Sequence, residues 1–386
     1  MFYLEWARRP AMHFQPMATS DQIAKIGVVG CGNISPAYFR GCRRYDNIEI
    51  VACTDINREA AEGRAEEFEV PRVLSVDELL EDDEIEIVLN ITTPQFHAPI
   101  NKAILEAGKH AYCEKPFATH RQEGLDVLQL AAEKELYVGC APDTFLSGAL
   151  QTARKLIDGG FIGDLFGAVA VFAYPGHESW HPNPEYYYKK GGGPLLDMGP
   201  YYLTALVNIL GPVSSVYGST KTTFEERTIT SEPLKGSKIQ VETPTHVNGL
   251  LEFENGATAS TLFSFDMRGA HQLPMLMVYG TEGSLSLPNP NRFDGKVEVS
   301  RGRDGPWEEV PLEHHYEGMR SLGLADMAEA IRVGRPQRAN GAMAYHVFDV
   351  MSSYEESYED GTRKKVESTF ERLPVMPDCE AEDPVF

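Results

Sequence analysis

The chain has 386 residues, of which 42% are hydrophobic, and a formal net charge of -22 from 57 acidic and 35 basic residues. That length exceeds one ordinary core and predicts two domains, and 18 Phe with 17 Tyr exclude a disordered chain. The acidic excess, with no basic stripe to override it, argues against nucleic acid and anionic membrane as partners.

No apolar run approaches the roughly 20 residues that span a bilayer. Residues 1–22 lack the sustained apolar core of a signal peptide and are read as an N-terminal extension. Cys31, Cys42, Cys53, Cys113, Cys140 and Cys379 show no paired C-x-x-C spacing. They are expected to be buried free thiols in a reducing, cytoplasmic setting.

From residue 23 the pattern alternates strand and helix. Strands are predicted at 25–30, 48–55, 85–91, 110–113 and 137–140, with helices at 36–44, 57–68, 96–107 and 120–134 between them. Parallel neighbours need a crossover helix, so this succession predicts a doubly wound parallel sheet over residues 23–145. Beyond it, strands predominate at 165–174, 213–222, 246–254, 258–266, 275–279 and 296–300. Helices are expected at 150–158, 201–210, 320–333 and 341–359. This predicts an α+β domain over 146–372 with a large, mainly antiparallel open sheet available for subunit contact, and a tail from 373 to 386. A C-terminal helix packing back on the first domain fits the same division.

Gly30-Cys31-Gly32-Asn33-Ile34-Ser35 joins the first strand to the first helix. Gly30 permits the tight turn, and Gly32 lets the backbone approach a pyrophosphate whose charge the helix N-terminus then holds. Ser35 stands where the third glycine of the dinucleotide fingerprint belongs. Asp55 ends the second strand, where its carboxylate can accept hydrogen bonds from both adenosine ribose hydroxyls; the alternative is a helix N-cap before Asn57. A carboxylate there opposes a 2′-phosphate, so NAD(H) is favoured, and Arg58 nearby keeps NADP(H) open.

Thr92-Thr93-Pro94 ends the next strong strand at the carboxyl edge of the sheet, where ligands bind in this architecture. His97 follows, and facing the cofactor or capping a helix are equal readings. Glu114-Lys115-Pro116 follows the strand that ends at Cys113. A lysine so placed can move a proton to or from the oxygen of a carbon that exchanges hydride with a nicotinamide, since burial lowers an ammonium pKa toward the working pH. The plain alternative is a strand-ending lysine on a solvated turn.

A second constellation runs from Gly191 to Tyr202, GGGPLLDMGPYY. The glycines are expected to bring backbone close to a ligand, and a helix is expected to open at Pro200 with Asp197 and Tyr201 four apart around its start. Asp197, Tyr201 and Lys115 then form a candidate proton relay. The alternative has Asp197 capping the helix and the tyrosines packing. Upstream, His177, Trp180 and His181 share a proline-fixed loop suited to a sugar, with hydrogen-bonding groups around an aromatic face. A metal bound by His177 and His181, or a plain surface loop, are the other readings.

The ordered set GVVGCGNIS, Asp55, NITTPQFHAPINKAILEAGKHAYCEKPFA and GGGPLLDMGPYYLTALVNILG resembles the glucose-fructose oxidoreductase, inositol dehydrogenase and MocA (Gfo/Idh/MocA) family over residues 24 to 368. The resemblance implies a Rossmann domain, a second α/β domain that often mediates homo-oligomers (dimer or tetramer), and an NAD(P)-dependent dehydrogenase acting on a sugar, cyclitol or related polyhydroxy substrate. It implies that Lys115 lies by the nicotinamide and the reacting oxygen, and that Glu114 helps place the cofactor. The family pattern is usually D-x-G-x-H-x-x-D; here Asp197 is retained, Tyr201 takes the histidine's place and Thr204 the second acid's. The departure leaves open which of Lys115, Asp197 and Tyr201 carries the proton. An NAD-dependent glycoside hydrolase using transient oxidation and a non-catalytic NAD(H)-binding protein are the alternatives.

Overall fold

The computed structural model describes residues 23–269, 271–312 and 318–377. The described residues fall into two compact units, one drawn from Met1–Gly148, Glu313–Phe348 and Leu373–Phe386, the other from Ala149–Leu312 and Asp349–Arg372. The extension at 1–22 and most of the tail lie outside the described residues.

The first unit is built on five strands, β1 (Ala24–Val29), β2 (Ile48–Thr54), β3 (Ile87–Asn90), β4 (His110–Cys113) and β5 (Val138–Cys140). They lie in the order β2-β1-β3-β4-β5, all parallel. Every residue of β3 and β4 is buried, as expected of strands covered on both faces. The crossovers are α1 (Ser35–Cys42), α2 (Arg58–Glu67), α3 (Val76–Glu81), α4 (His97–Glu106) and α5 (Arg121–Glu133). The short α3 escapes the apolar-periodicity reading; it is held by a capping box in which Ser75 and Glu78 satisfy each other's backbone N–H groups.

Register matters more than boundaries here. Val29 pairs with both Thr54 and Asn90, Asn90 with Cys113, and Cys113 with Cys140. The last residues of all five strands therefore form one row, and whatever follows each strand emerges along a single edge. The strand order reverses between β1 and β3, the place where sheets of this kind bind ligands.

The second unit carries α6 (Gly148–Asp158), α7 (Pro194–Leu210) and a nine-stranded sheet. Its strands are β6 (Leu165–Ala173), β7 (Val213–Lys221), β10 (His246–Phe253), β11 (Thr258–Ser264), β12 (Leu276–Gly280), β13 (Gly283–Leu287), β14 (Val297–Arg301), β15 (Glu308–Val310) and β16 (Lys364–Lys365). Separate from it is a ribbon of β8 (Glu226–Thr228) and β9 (Lys238–Gln240). The order is β15-β14-β13-β12-β6-β11-β10-β7-β16, and only the β6–β11 pair is parallel. α7 packs on β6, β10 and β11.

α7 begins at Pro194, not at Pro200, which lies inside it. Proline suits a first helical position, where its missing N–H is an orphan in any case. The earlier start puts Asp197 in the first turn, so Asp197 and Tyr201 share one helical face. Two further helices, α8 (Leu322–Val333) and α9 (Gly341–Asp360), complete the described chain.

Candidate active site

Along the carboxyl edge of the parallel sheet, the β1–α1 loop has Gly30 at φ +106°, and a Cβ there would lie 2.8 Å from the Ile91 carbonyl oxygen. Glycine is required by the fold at that position. Gly32 differs: it is exposed, and a Cβ on it would meet no protein atom within 4 Å. Protein packing does not demand a glycine there, whereas a ligand approaching the backbone would, so the loop fits a pyrophosphate. Asn33 and Ile34 flank that space. Ser35 is buried without cost because its hydroxyl donates to the Gly32 carbonyl (2.7 Å) and accepts from Arg64 Nε (3.2 Å).

Asp55 follows β2 and is half-exposed. Oδ2 accepts from the Cys31 backbone N–H at 2.7 Å and Oδ1 from that of Asn57 at 2.8 Å. The residue ties the glycine loop to the end of β2. It does not cap α2, a role taken by Asn57, whose side chain accepts from the Glu59 N–H. Arg58 is exposed and paired with Glu62 one turn on, at 2.8 Å.

After β3, Thr92 donates its hydroxyl to Asn90 Oδ1 (2.7 Å), while Thr93 is exposed and Pro94 half-buried. His97 is buried. Its Nδ1 lies 2.7 Å from the Pro116 carbonyl oxygen and its Nε2 3.0 Å from that of Thr92. Its side chain neither caps the helix nor points a spare ring nitrogen outward; it links the loop after β3 to the loop after β4. Burial pulls its pKa below the ordinary histidine value against the pull of those two carbonyls and of Glu114.

Glu114 is the pivot of the edge. Its backbone N–H donates to the Asn90 carbonyl (3.0 Å). Its carboxylate accepts from the Tyr38 hydroxyl (2.7 Å) and from the Lys115 backbone N–H (2.9 Å), and lies 3.6 Å from the Arg320 guanidinium. Burial pushes this carboxyl up, but Arg320, Lys115, Tyr38 and the backbone N–H outweigh it and hold it below the ordinary glutamate value. Lys115 is half-buried, and the Lys115–Pro116 peptide is cis. Asp143, nearby in sequence to β5, goes the other way: burial raises it, although it accepts from the backbone N–H groups of Ser321 and Gly323. Tyr38, Asn90 and Arg320 carry no local motif, and only the fold shows their part.

In the second unit the loop before α7 is aromatic. The His177 ring stacks on Tyr187, with centroids 3.8 Å apart and planes at 7°, and meets Phe265 edge-on. Its Nε2 lies 3.6 Å from Asp197 Oδ2. Trp180 is exposed, with its ring 5.4 Å from those of both His177 and His181. Tyr201 is buried one helical turn beyond Asp197, and Tyr202 packs between Phe172 and Phe263. Asp197 does not cap α7: the N-cap is Gly193, with no side-chain bond, and the Asp197 N–H donates to the Gly193 carbonyl.

Of the three glycines expected to bring backbone close to a ligand, two face protein backbone, whereas a Cβ on Gly191 would meet nothing within 4 Å. A Cβ on Gly192 would lie 2.6 Å from the Tyr186 carbonyl oxygen, and one on Gly193 2.9 Å from that of Pro244, so they admit the protein's own backbone. Among the described residues no group of three or more His, Cys, Asp or Glu side chains converges as metal ligands would, and no helix is long and apolar enough to cross a membrane.

A parallel sheet with a glycine loop, a carboxylate and a lysine at strand ends along one edge has the layout of a dinucleotide-binding oxidoreductase. Residues 24–141 match the sequence model of the oxidoreductase family with an NAD-binding Rossmann fold, and residues 150–286 that of the GFO/IDH/MocA C-terminal domain. The chain belongs to the Gfo/Idh/MocA family of oxidoreductases.

It is 29% identical to the dTDP-3,4-didehydro-2,6-dideoxy-alpha-D-glucose 3-reductase of Streptomyces violaceoruber, over 80% of this chain and 85% of that one. To the protein of the same name from Saccharopolyspora spinosa it is 30% identical, over 72% and 79%. Its fold is that of levoglucosan dehydrogenase in complex with NADH, with a TM-score of 0.76 at 22% identity over 90% of this chain and all of that one.

Proposed function

We propose that this oxidoreductase transfers a hydride between NAD and a hydroxyl or carbonyl carbon of a sugar, cyclitol or related polyhydroxy compound. The observation that carries the reading is the edge itself. Gly30, Gly32, Asn33, Ile34, Asp55, Thr92, Thr93 and Pro94 suit the dinucleotide, and Glu114 fixes the backbone of Lys115 at the end of the same row of strands. The names of its relatives, which include reductases of sugar nucleotides and a D-xylose dehydrogenase, support the substrate class.

When bound, NAD supplies the hydride acceptor. In the oxidative direction the substrate C–H bond breaks with its electron pair, the O–H bond breaks, and a C=O bond forms. Lys115 takes the hydroxyl proton and returns it in reduction, and Asp197 and Tyr201 assist that transfer. His177, Trp180 and His181 bind the polyhydroxy substrate. Asp55 opposes a 2′-phosphate, and Arg58, paired with Glu62, offers it little, so NAD is preferred to NADP.

Two assignments complete the proposal. Tyr217 and Leu250, cross-strand partners of β7 and β10, are exposed on the sheet and suit contact with a second copy of the chain. The five described cysteines are free and buried, as suits a cytoplasmic enzyme.

The test is NADH absorbance with purified protein, NAD or NADP, and a panel of aldoses, cyclitols and sugar acids. Turnover of one class with NAD supports the proposal. Sugar released from a glycoside without net NADH would replace it with the hydrolase, and NAD binding with neither reaction would replace it with a cofactor-binding protein.

A further inference from the structure

We propose that Arg227, from the β8–β9 ribbon, is a positioning residue of the substrate site. It fixes the loop Pro175–Tyr188 and hence the placing of His177, Trp180 and His181. The inference rests on the reading of that loop as substrate-binding given above.

The ribbon is exposed on one face: Glu226, Thr228, Lys238 and Gln240 point to solvent, while Arg227 and Ile239 are buried. The Arg227 side chain has no exposed surface at all. A guanidinium so buried is costly unless its donors are met. One terminal nitrogen donates to the Pro175 carbonyl (3.2 Å) and to Glu178 Oε1 (2.7 Å); the other donates to the Phe265 carbonyl (3.0 Å) and to the Asp266 carboxylate. The Tyr188 and Phe224 rings flank its charged carbon at 5.2 and 5.0 Å from their centroids.

These contacts grip the loop at both ends. Pro175 and Glu178 open it and Tyr188 closes it. The Tyr188 hydroxyl donates to Glu178 and accepts from the His177 backbone N–H at 3.1 Å. The ribbon's own end adds two more ties: the Thr230 N–H donates to the Glu178 carbonyl (2.7 Å), and Ser231 Oγ donates to the His181 carbonyl (2.6 Å).

Between these points lies the His177 ring, stacked on Tyr187, edge-on to the Phe265 whose carbonyl Arg227 holds, and aimed at Asp197. Stability alone does not call for an ion network here, since buried networks are often replaced by apolar groups at no loss. What a planar guanidinium adds is direction, through paired donors at fixed angles that set one loop conformation.

Arg227→Lys keeps the charge and loses the fork. With whichever polyhydroxy compound the panel identifies, it is expected to raise KM roughly tenfold while changing kcat less than about threefold, the mark of lost ground-state binding. The KM for NAD stays at the wild-type value. Ser231→Ala, which leaves the buried charges intact, is expected to raise the same KM by about threefold, and it decides the matter if Arg227→Lys is insoluble. Unchanged substrate KM in the soluble variants overturns the proposal.

A second readout needs no turnover. Trp180 is one of three tryptophans, so with Trp6 and Trp307 replaced by Phe its emission reports the loop directly. Arg227→Lys is expected to alter Trp180 intensity and its quenching by acrylamide, and identical signals overturn the proposal. Absent turnover in the wild type would instead count against the proposed reaction, leaving the Trp180 result to stand alone.

Discussion

The two units build their polar sites from different materials. In the first, backbone N–H groups hold part of each carboxylate: Asp55 rests on those of Cys31 and Asn57, and Glu114 takes that of Lys115 beside the Tyr38 hydroxyl and Arg320. In the second, side chains hold side chains, with a buried guanidinium between two carboxylates and a histidine packed among aromatic rings. A site made from strand ends is as constant as the sheet and suits one unchanging ligand. A site made from side chains is retuned by substitution, which suits relatives whose names carry different sugars.

That contrast can be broken at several points. The largest effect is expected at Lys115, where Lys115→Met should lower kcat by about 10²–10⁴-fold. Its NADH affinity, read by fluorescence titration, should stay near the wild-type value, and near-normal turnover would remove Lys115 from proton transfer. Next is Glu114→Ala, which leaves Arg320 beside an emptied buried site and should cost about 3–5 kcal/mol in urea unfolding at pH 7.

The pH dependence of that loss has a definite sign. The folded Glu114 carboxyl lies below its ordinary value of 4.5. Its contribution is therefore complete above that pH and disappears as pH falls through the folded value, so wild type and variant should converge in acid. A gap that widens in acid would contradict the assignment.

Asp55→Ser should weaken NAD binding by roughly 10–100-fold, from the loss of charged hydrogen bonds worth about 1.5–3 kcal/mol, and narrow the preference over NADP. The glycines sharpen the same comparison. Gly30→Ala meets backbone at positive φ and should destabilise the fold by about 1–3 kcal/mol. Gly32→Ala meets no protein atom, so its melting temperature should hold while NAD affinity falls. Equal melting losses in both would deny that one glycine serves the fold and the other the ligand. The smallest effect is Ser75→Ala, about 1 kcal/mol from the capping box of α3.

How far the sequence could be read follows the same division. The parallel sheet was legible because its strands are short apolar runs separated by helices, and β4 matches its expected span at His110–Cys113. The places of the glycine loop, Asp55 and Lys115 along the sheet edge were legible because each is local to a strand end. Arg320 and Tyr38 were not, because their meeting with Glu114 spans up to 206 residues of sequence, from 114 to 320.

In the second unit the large strands could be found by alternation, whereas β8, β9 and β16 are three residues or fewer and carry no period. Nothing local to Arg227 in the sequence marks it out. The start of α7 was misplaced because Pro200 resembles a helix opening, and Pro194, six residues earlier, is the residue that performs it. Gly192 and Gly193 were taken for ligand contacts because a glycine's neighbour cannot be read from its own position.

The row formed by Val29, Thr54, Asn90, Cys113 and Cys140 makes the sheet's hydrogen-bond ladder a ruler. A strand advances about 3.3 Å per residue and its side chains change face at each step. Deleting one residue from β4 would therefore draw Lys115 back by about that distance and turn it to the other side. Where each loop leaves the sheet is thus set by counting, in whole residues, along the strands beneath it.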